Sequence, residues 1–188
     1  MDNKTKLLDN ACHLFASKGY DAVGVQEVVT SSAVTKPTLY HYYGSKDGLL
    51  QAILERGFLR LEQSLHSMGA YHNDLPGYLE RMALAWLASV EAQPDFFRVE
   101  LSLVFLPKDH PGHKLVLAGQ EALFDRMQDV FKAASTEHGN MRGRERVLAV
   151  NWLGMLHNWT SLYLGGWIDP RQNLLPQSLR QFLYGVFT

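Results

Sequence analysis

The chain has 188 residues, 46% of them hydrophobic and 20% charged, with a formal net charge of −1. That composition can bury a core in one mid-sized domain or in a small domain joined to a larger one, and it excludes an intrinsically disordered chain. The single cysteine, Cys12, excludes an internal disulfide and fits a reducing compartment, where packing on a helix is its expected role.

Charge opens the sequence, and no secretory hydrophobic core follows it. Every long apolar run is broken by charge or Pro well short of the ~20 residues that a membrane-spanning helix needs. A cytoplasmic protein with no membrane partner is expected.

A first helix is expected over Lys4–Lys18, where Leu7, Leu8, Ala11, Leu14 and Phe15 recur at helical spacing, and Gly19 stops it. Residues 20–24 connect it to a second helix, Val25 to about Ser31, started by Gly24 or Asp21. A bend falls near Ser32-Ala33-Val34. Thr35 is placed to cap a short third helix, and Pro37 in its first turn costs little because the N–H there has no helical partner. The aromatic run Tyr40 to Tyr43 closes that helix. Ser45 is a good N-cap for a fourth helix, and Asp47 in its first turn suits the helix dipole. This helix runs to about Ser67 with Leu50, Leu54, Leu61 and Leu65 on its buried stripe. The chain loosens over residues 69–76.

Five more helices follow. They are expected at Leu75–Gln93, Asp95 to about Leu106, Lys114 to about Glu137, Arg144–Leu164 and Pro176–Phe187, with residues 107–112 as a loop. The helix over 144–164 is apolar nearly all round, so it needs more than one partner surface. The last shows an i, i+3, i+4, i+7, i+8 face of Leu179, Phe182, Leu183, Val186 and Phe187. No strand alternation, repeat or low-complexity segment is present. The fold class is all-α with about nine helices: an N-terminal three-helix helix-turn-helix domain over 1–48 and a larger helical bundle over 49–188.

Two helices joined by three or four residues, the second of them short, outline a helix-turn-helix. Bulk electrostatics do not support DNA binding: residues 1–50 hold five Lys (4, 6, 18, 36, 46) and five acids (Asp2, Asp9, Asp21, Glu27, Asp47). Placement is what supports it, since Lys36 and Lys46 bracket the third helix.

The N-terminal third closely resembles the tetracycline-repressor (TetR) family of bacterial regulators. The matching residues are Phe15-Ala16-x-x-Gly19-Tyr20, then Val34-Thr35-x-Pro37-Thr38-Leu39-Tyr40-x-Tyr42-Tyr43-x-Ser45-Lys46-x-x-Leu49-Leu50. Ala33 departs from the pattern, in which the bend commonly carries Gly. Beyond residue 55 the resemblance is architectural. It implies a homodimeric transcriptional regulator, usually a repressor, whose bundle binds a small molecule and whose last two helices form a four-helix dimer interface.

On that basis Thr35, Lys36, Pro37 and Thr38 would enter the major groove. Lys36 would donate to guanine O6 and N7, the Thr side chains would offer hydroxyl and methyl groups, and Pro37 a small apolar contact. Tyr40, Tyr42 and Lys46 are placed for phosphates. Leu39, Tyr43, Leu49 and Leu50 are the buried anchor. Candidates for contact with an apolar or aromatic effector are Met82, Trp86, Phe97, Phe105, Phe124, His157 and Asn158, although core packing is equally open to residues at helical spacing. Glu100 faces a cationic ligand or solvent. Candidates for the dimer interface are Met155, Trp159, Leu179, Phe182 and Val186.

No catalytic residue, cofactor or metal is expected. None of the nine Glu is followed three residues later by His, His110-Pro-Gly-His113 is a weak pair with no Cys nearby, and there is no His-Glu-x-x-His, Gly-rich phosphate loop or nucleophile elbow. The rival expectation is a helical small-molecule-binding protein or enzyme with a vestigial helix-turn-helix, which the neutral charge of residues 1–50 favours.

Overall fold

The computed structural model describes residues 2–169 and 174–185, and among these the chain is all helical. The helices are α1 (Asn3–Lys18), α2 (Val25–Ser31), α3 (Lys36–Tyr43), α4 (Lys46–Ser67), α5 (Leu75–Ala92), α6 (Pro94–Val104), α7 (Pro111–Ser135), α8 (Glu145–Leu164) and α9 (Leu174–Tyr184), with a 3-10 turn at Gly139–Met141. No helix is long and apolar enough to cross a membrane among the described residues.

Several boundaries differ from the sequence expectation, and proline explains three of the helix starts. Pro94 and Pro111 open α6 and α7, where a fixed φ favours the helix and the missing N–H was unpaired anyway. Pro176 lies in the first turn of α9, which therefore begins at Leu174.

Two compact units divide the described residues. The first runs to Arg60 and resumes over Gln93–Gly119; the second takes Leu61–Ala92 and the residues from Gln120 onward.

In the first unit, α1 buries Leu7, Leu8, Ala11, Cys12 and Phe15, each large side chain contributing about 1.5–3 kcal/mol. Arg56 of α4 pairs with Asp9 of α1 at 2.7 Å, and His13 of α1 meets Asp95 of α6 at 3.0 Å. Glycine allows two close approaches here. A Cβ on Gly57 would lie 2.0 Å from the Phe96 ring, and one on Gly119 would lie 2.2 Å from Phe58. Phe58 and Phe96 meet edge to face at 5.2 Å. Burial pushes the Cys12 thiol up to about 12. Below that pH the sulfur is the neutral, unreactive thiol. A disulfide reagent at pH 8 is therefore expected to leave native Cys12 unmodified and to titrate it fully in denaturant; rapid native modification would contradict its packing role.

In the second unit, Met82, Trp86, Trp152 and Phe131 are fully buried. The Trp86 indole donates to Thr160 Oγ1 at 2.9 Å, and that hydroxyl donates to the Leu156 carbonyl at 2.9 Å. The Trp152 indole reaches Met82 Sδ at 3.3 Å. Among the described residues α8 buries one side, made of its own Ala149, Trp152, Leu153, Leu156, Trp159 and Thr160. Val147 and Val150 on its other side are 56% and 53% exposed.

Candidate nucleic-acid interface

The head is built from α1, α2, α3 and the start of α4. Gly19 ends α1 with φ 86°, a left-handed conformation that costs glycine little, and its N–H reaches the Phe15 carbonyl at 3.0 Å. Gly24 starts α2 through its backbone alone; Asp21, the other expected starter, is engaged elsewhere. The bend is held by Asn10 of α1, whose side-chain amide donates to the Ser31 carbonyl at 3.2 Å and to Ser32 Oγ at 3.1 Å. Ser32 is fully buried, so this bond satisfies a hydroxyl that water cannot reach.

Ala33 sits in the bend with φ 53°. That left-handed conformation costs a residue with a Cβ roughly 1–2 kcal/mol. Ala33→Gly is therefore expected to stabilise the head by ~1 kcal/mol, since relief of strain exceeds the added flexibility of the unfolded chain. Thermal unfolding should show a rise of about 2–4 °C; a fall would mean that the bend is not strained.

The sequence of α3 alternates between two duties. Leu39 is buried, and Tyr43, one turn on, donates its hydroxyl to the Lys4 carbonyl at 2.7 Å. Burial raises the Tyr43 phenol, which keeps that donor protonated. These two residues fasten α3 to its neighbours. Thr35, Lys36, Pro37, Tyr40, His41 and Tyr42 are exposed, and Thr38 is half-buried. Thr35 occupies the N-cap position with extended backbone, yet its hydroxyl pairs with Thr38 Oγ1 at 2.9 Å rather than with a backbone amide. Both hydroxyls thus lie together at the open end of the helix.

Lys46 opens α4 with its ammonium 4.1 Å from the centroid of the Tyr20 ring. Burial lowers its pKa, against the pull of Asp21 and Asp47. Tyr20 donates its hydroxyl to Asp47 and meets Phe15 edge to face at 5.1 Å. Ser45 Oγ accepts from the Gly48 N–H at 3.0 Å, so the expected cap of this helix is present.

The neutral charge of the head has a structural resolution. All five acids of residues 1–50 are occupied within this unit. Asp2 caps α1 through the Thr5 N–H at 2.6 Å, Asp9 pairs with Arg56, Asp21 lies 3.1 Å from His110 Nε2, Glu27 pairs with Lys18, and Asp47 accepts from Tyr20. The Gly112 N–H donates to His110 Nδ1 at 3.0 Å, so Nε2 carries the proton that reaches Asp21. Lys4, Lys6 and Lys36 form no ion pair among the described residues.

The seven candidate DNA residues are thus grouped at α3 and the start of α4. Sequence reasoning missed His41, which shares the exposed side of α3, and Lys4, whose carbonyl adjoins Tyr43. It also missed Asn10, which no local pattern distinguishes.

The candidate effector residues fall in both units. Phe97 and Phe105 belong to the first unit, Phe97 buried and Phe105 88% exposed. Met82 and Trp86 are core of the second unit, Phe124 lies under Arg146 at 5.7 Å, and Asn158 is exposed. His157 donates Nδ1–H to the Leu153 carbonyl at 2.9 Å and meets Trp86 edge to face at 5.0 Å. Glu100 is buried. Among the candidate dimer residues, Trp159 is buried and Phe182 packs on Trp152 at 5.2 Å and Phe131 at 6.2 Å within its own chain. Met155 and Leu179 are half-buried, and Val186 lies outside the described residues.

Residues 7–53 match the family described as bacterial regulatory proteins, tetR family. The HTH-type transcriptional repressor KstR2 of Rhodococcus jostii (strain RHA1) is 39% identical over 56 residues, which are 30% of this chain and 27% of KstR2. The HTH-type transcriptional activator FasR of Mycolicibacterium smegmatis is 26% identical over 149 residues, 79% of this chain and 66% of FasR. The chain thus spans about a quarter of the one relative and just under two thirds of the other. A TetR-like transcriptional regulator from Rhodococcus sp. RHA1 shares the fold with a TM-score of 0.79 at 20% identity, over 98% of this chain and 97% of that one.

Proposed function

We propose that the chain, whose residues 7–53 match the tetR family of bacterial regulatory proteins, is a cytoplasmic DNA-binding transcriptional regulator, a repressor released from its operator by a small molecule. Residues 1–48 form the DNA-reading head, and 49–188 the effector-binding and dimerisation part. Thr35, Lys36, Pro37 and Thr38 read base edges; Tyr40, Tyr42 and Lys46 hold phosphates. As a homodimer the protein sets two α3 helices about 34–36 Å apart on a pseudo-palindromic site. The exposed side of α8, with Val147 and Val150, joins Met155 and Leu179 as the surface we assign to the second copy. The effector is apolar or aromatic, and it releases DNA only by binding the DNA-incompetent state more tightly. No enzymatic activity is assigned.

The observation that carries this reading is the division of charge in the head: every acid is occupied internally, while Lys36 opens α3 without an ion pair. The net charge of residues 1–50 stays zero, and the placement of Lys36 at the exposed start of α3 is what favours this reading over a vestigial helix-turn-helix. The test is a gel shift on the intergenic DNA flanking the gene at low and moderate salt. Salt-sensitive, sequence-selective retardation is expected; its absence under every condition would instead favour a helical small-molecule protein.

A further inference from the structure

We propose that the second unit holds a binding site for a small apolar carboxylate, in a cleft of about 320 Å³ framed by the starts of α5 and α8, the 3-10 turn and the ends of α7 and α9. Calling its occupant an effector rests on the regulator reading; the binding itself does not.

The cleft is apolar at its base. Phe131 is fully buried there, Phe182 packs against it at 6.2 Å, and Leu148 closes one side. Its polar groups are His138, Asn140 and Arg144 from the turn between α7 and α8, and the Tyr184 phenol at the end of α9. Among the described residues no carboxylate lines the cleft, so a cationic ligand would find no ion-pair partner there.

Arg144 occupies the N-cap position of α8, a helix of 20 residues, and its own side chain makes no capping hydrogen bond. The adjoining acid, Glu145, turns its carboxylate to the Gly143 N–H at 3.1 Å. The guanidinium of Arg144 and the side-chain amide of Asn140 thus line an apolar hole, while the α8 start itself is taken by Glu145. That set suits a carboxylate, which a guanidinium binds through two parallel hydrogen bonds. The volume is at the lower end for ligand pockets, which limits the apolar part to a short chain or a single ring. None of the effector candidates drawn from the sequence lines this cleft.

The test is calorimetric titration of the full chain with octanoate and with its uncharged counterpart octanamide, on the wild type, Arg144→Gln and Leu148→Trp. One octanoate per chain is expected, with octanamide about tenfold weaker or more. Arg144 is exposed, so Arg144→Gln should fold as the wild type does and lose that discrimination. Leu148→Trp should fill the cleft and abolish both. Absence of saturable octanoate binding overturns the proposal, as does unchanged octanoate affinity in Arg144→Gln. DNA retardation is measured on the same samples without octanoate. Retardation without octanoate binding sinks the site alone, and octanoate binding without retardation at any salt sinks the regulator reading alone.

Discussion

Replacing Lys36 by alanine is expected to weaken operator binding by roughly ten- to a hundredfold per half-site and to relax base preference, because a side chain donating to guanine O6 and N7 contributes about 1–3 kcal/mol of discrimination. Lys36 opens α3 at an exposed position, and its neighbours Thr35, Pro37 and Thr38 are short enough to let that helix end approach base edges. Lys46→Ala provides the contrast. Its ammonium lies over the Tyr20 ring at the start of α4, so its loss should weaken binding to every sequence alike. Fluorescence anisotropy on the operator and on a scrambled duplex, each at two salt concentrations, separates the two. An equal loss on both duplexes for Lys36→Ala would reassign that residue to a phosphate. No loss on either would remove it from the interface.

The second large effect is on stability. Trp86→Ala is expected to cost about 3–5 kcal/mol, the cost of emptying a large aromatic site in a packed core. For a chain of this length that corresponds to a fall of roughly 6–20 °C in the unfolding midpoint. Trp86 is fully buried, its ring meets His157 edge to face, and its indole donates to Thr160. Thr160 keeps its own bond to the Leu156 carbonyl, so the penalty is chiefly the cavity. A side chain lining an open effector pocket would behave otherwise, because its truncation removes few packed neighbours. Denaturant unfolding with an unchanged slope and a loss under about 1 kcal/mol would return Trp86 to the pocket.

Periodicity made the helices legible because a buried face repeats every three or four residues whatever lies across from it. The head was legible in more detail. Leu39 and Tyr43, one turn apart, are its anchors, and Ser45 caps α4. The sequence marked Ala33 as unusual, but its strain is visible only in a φ of 53°. What could not be read are pairings between residues far apart in the chain. Asp21 meets His110 across 89 positions, and Asn10 holds Ser32 across 22. Nor does an amphipathic face name its neighbour. Phe182 lies on the apolar face of α9 and packs on Trp152 and Phe131 of its own chain. Periodicity likewise cannot separate the wall of a pocket from a core, which is why Met82 and Trp86 stood among the effector candidates.

The sparse fastening of α3 bears on how the head searches for its site. Eight residues with one buried side chain, Leu39, and one hydroxyl tie to α1 leave that helix few contacts that local opening must break. Its backbone amides should therefore exchange with solvent deuterium faster than those of α1, whose five buried residues hold it along its length. A loosely held reading helix can sample orientations on non-cognate DNA at little cost and lose that freedom only where the bases fit. Slowed exchange confined to α3 on the cognate duplex, and absent on a scrambled one, would be the signature.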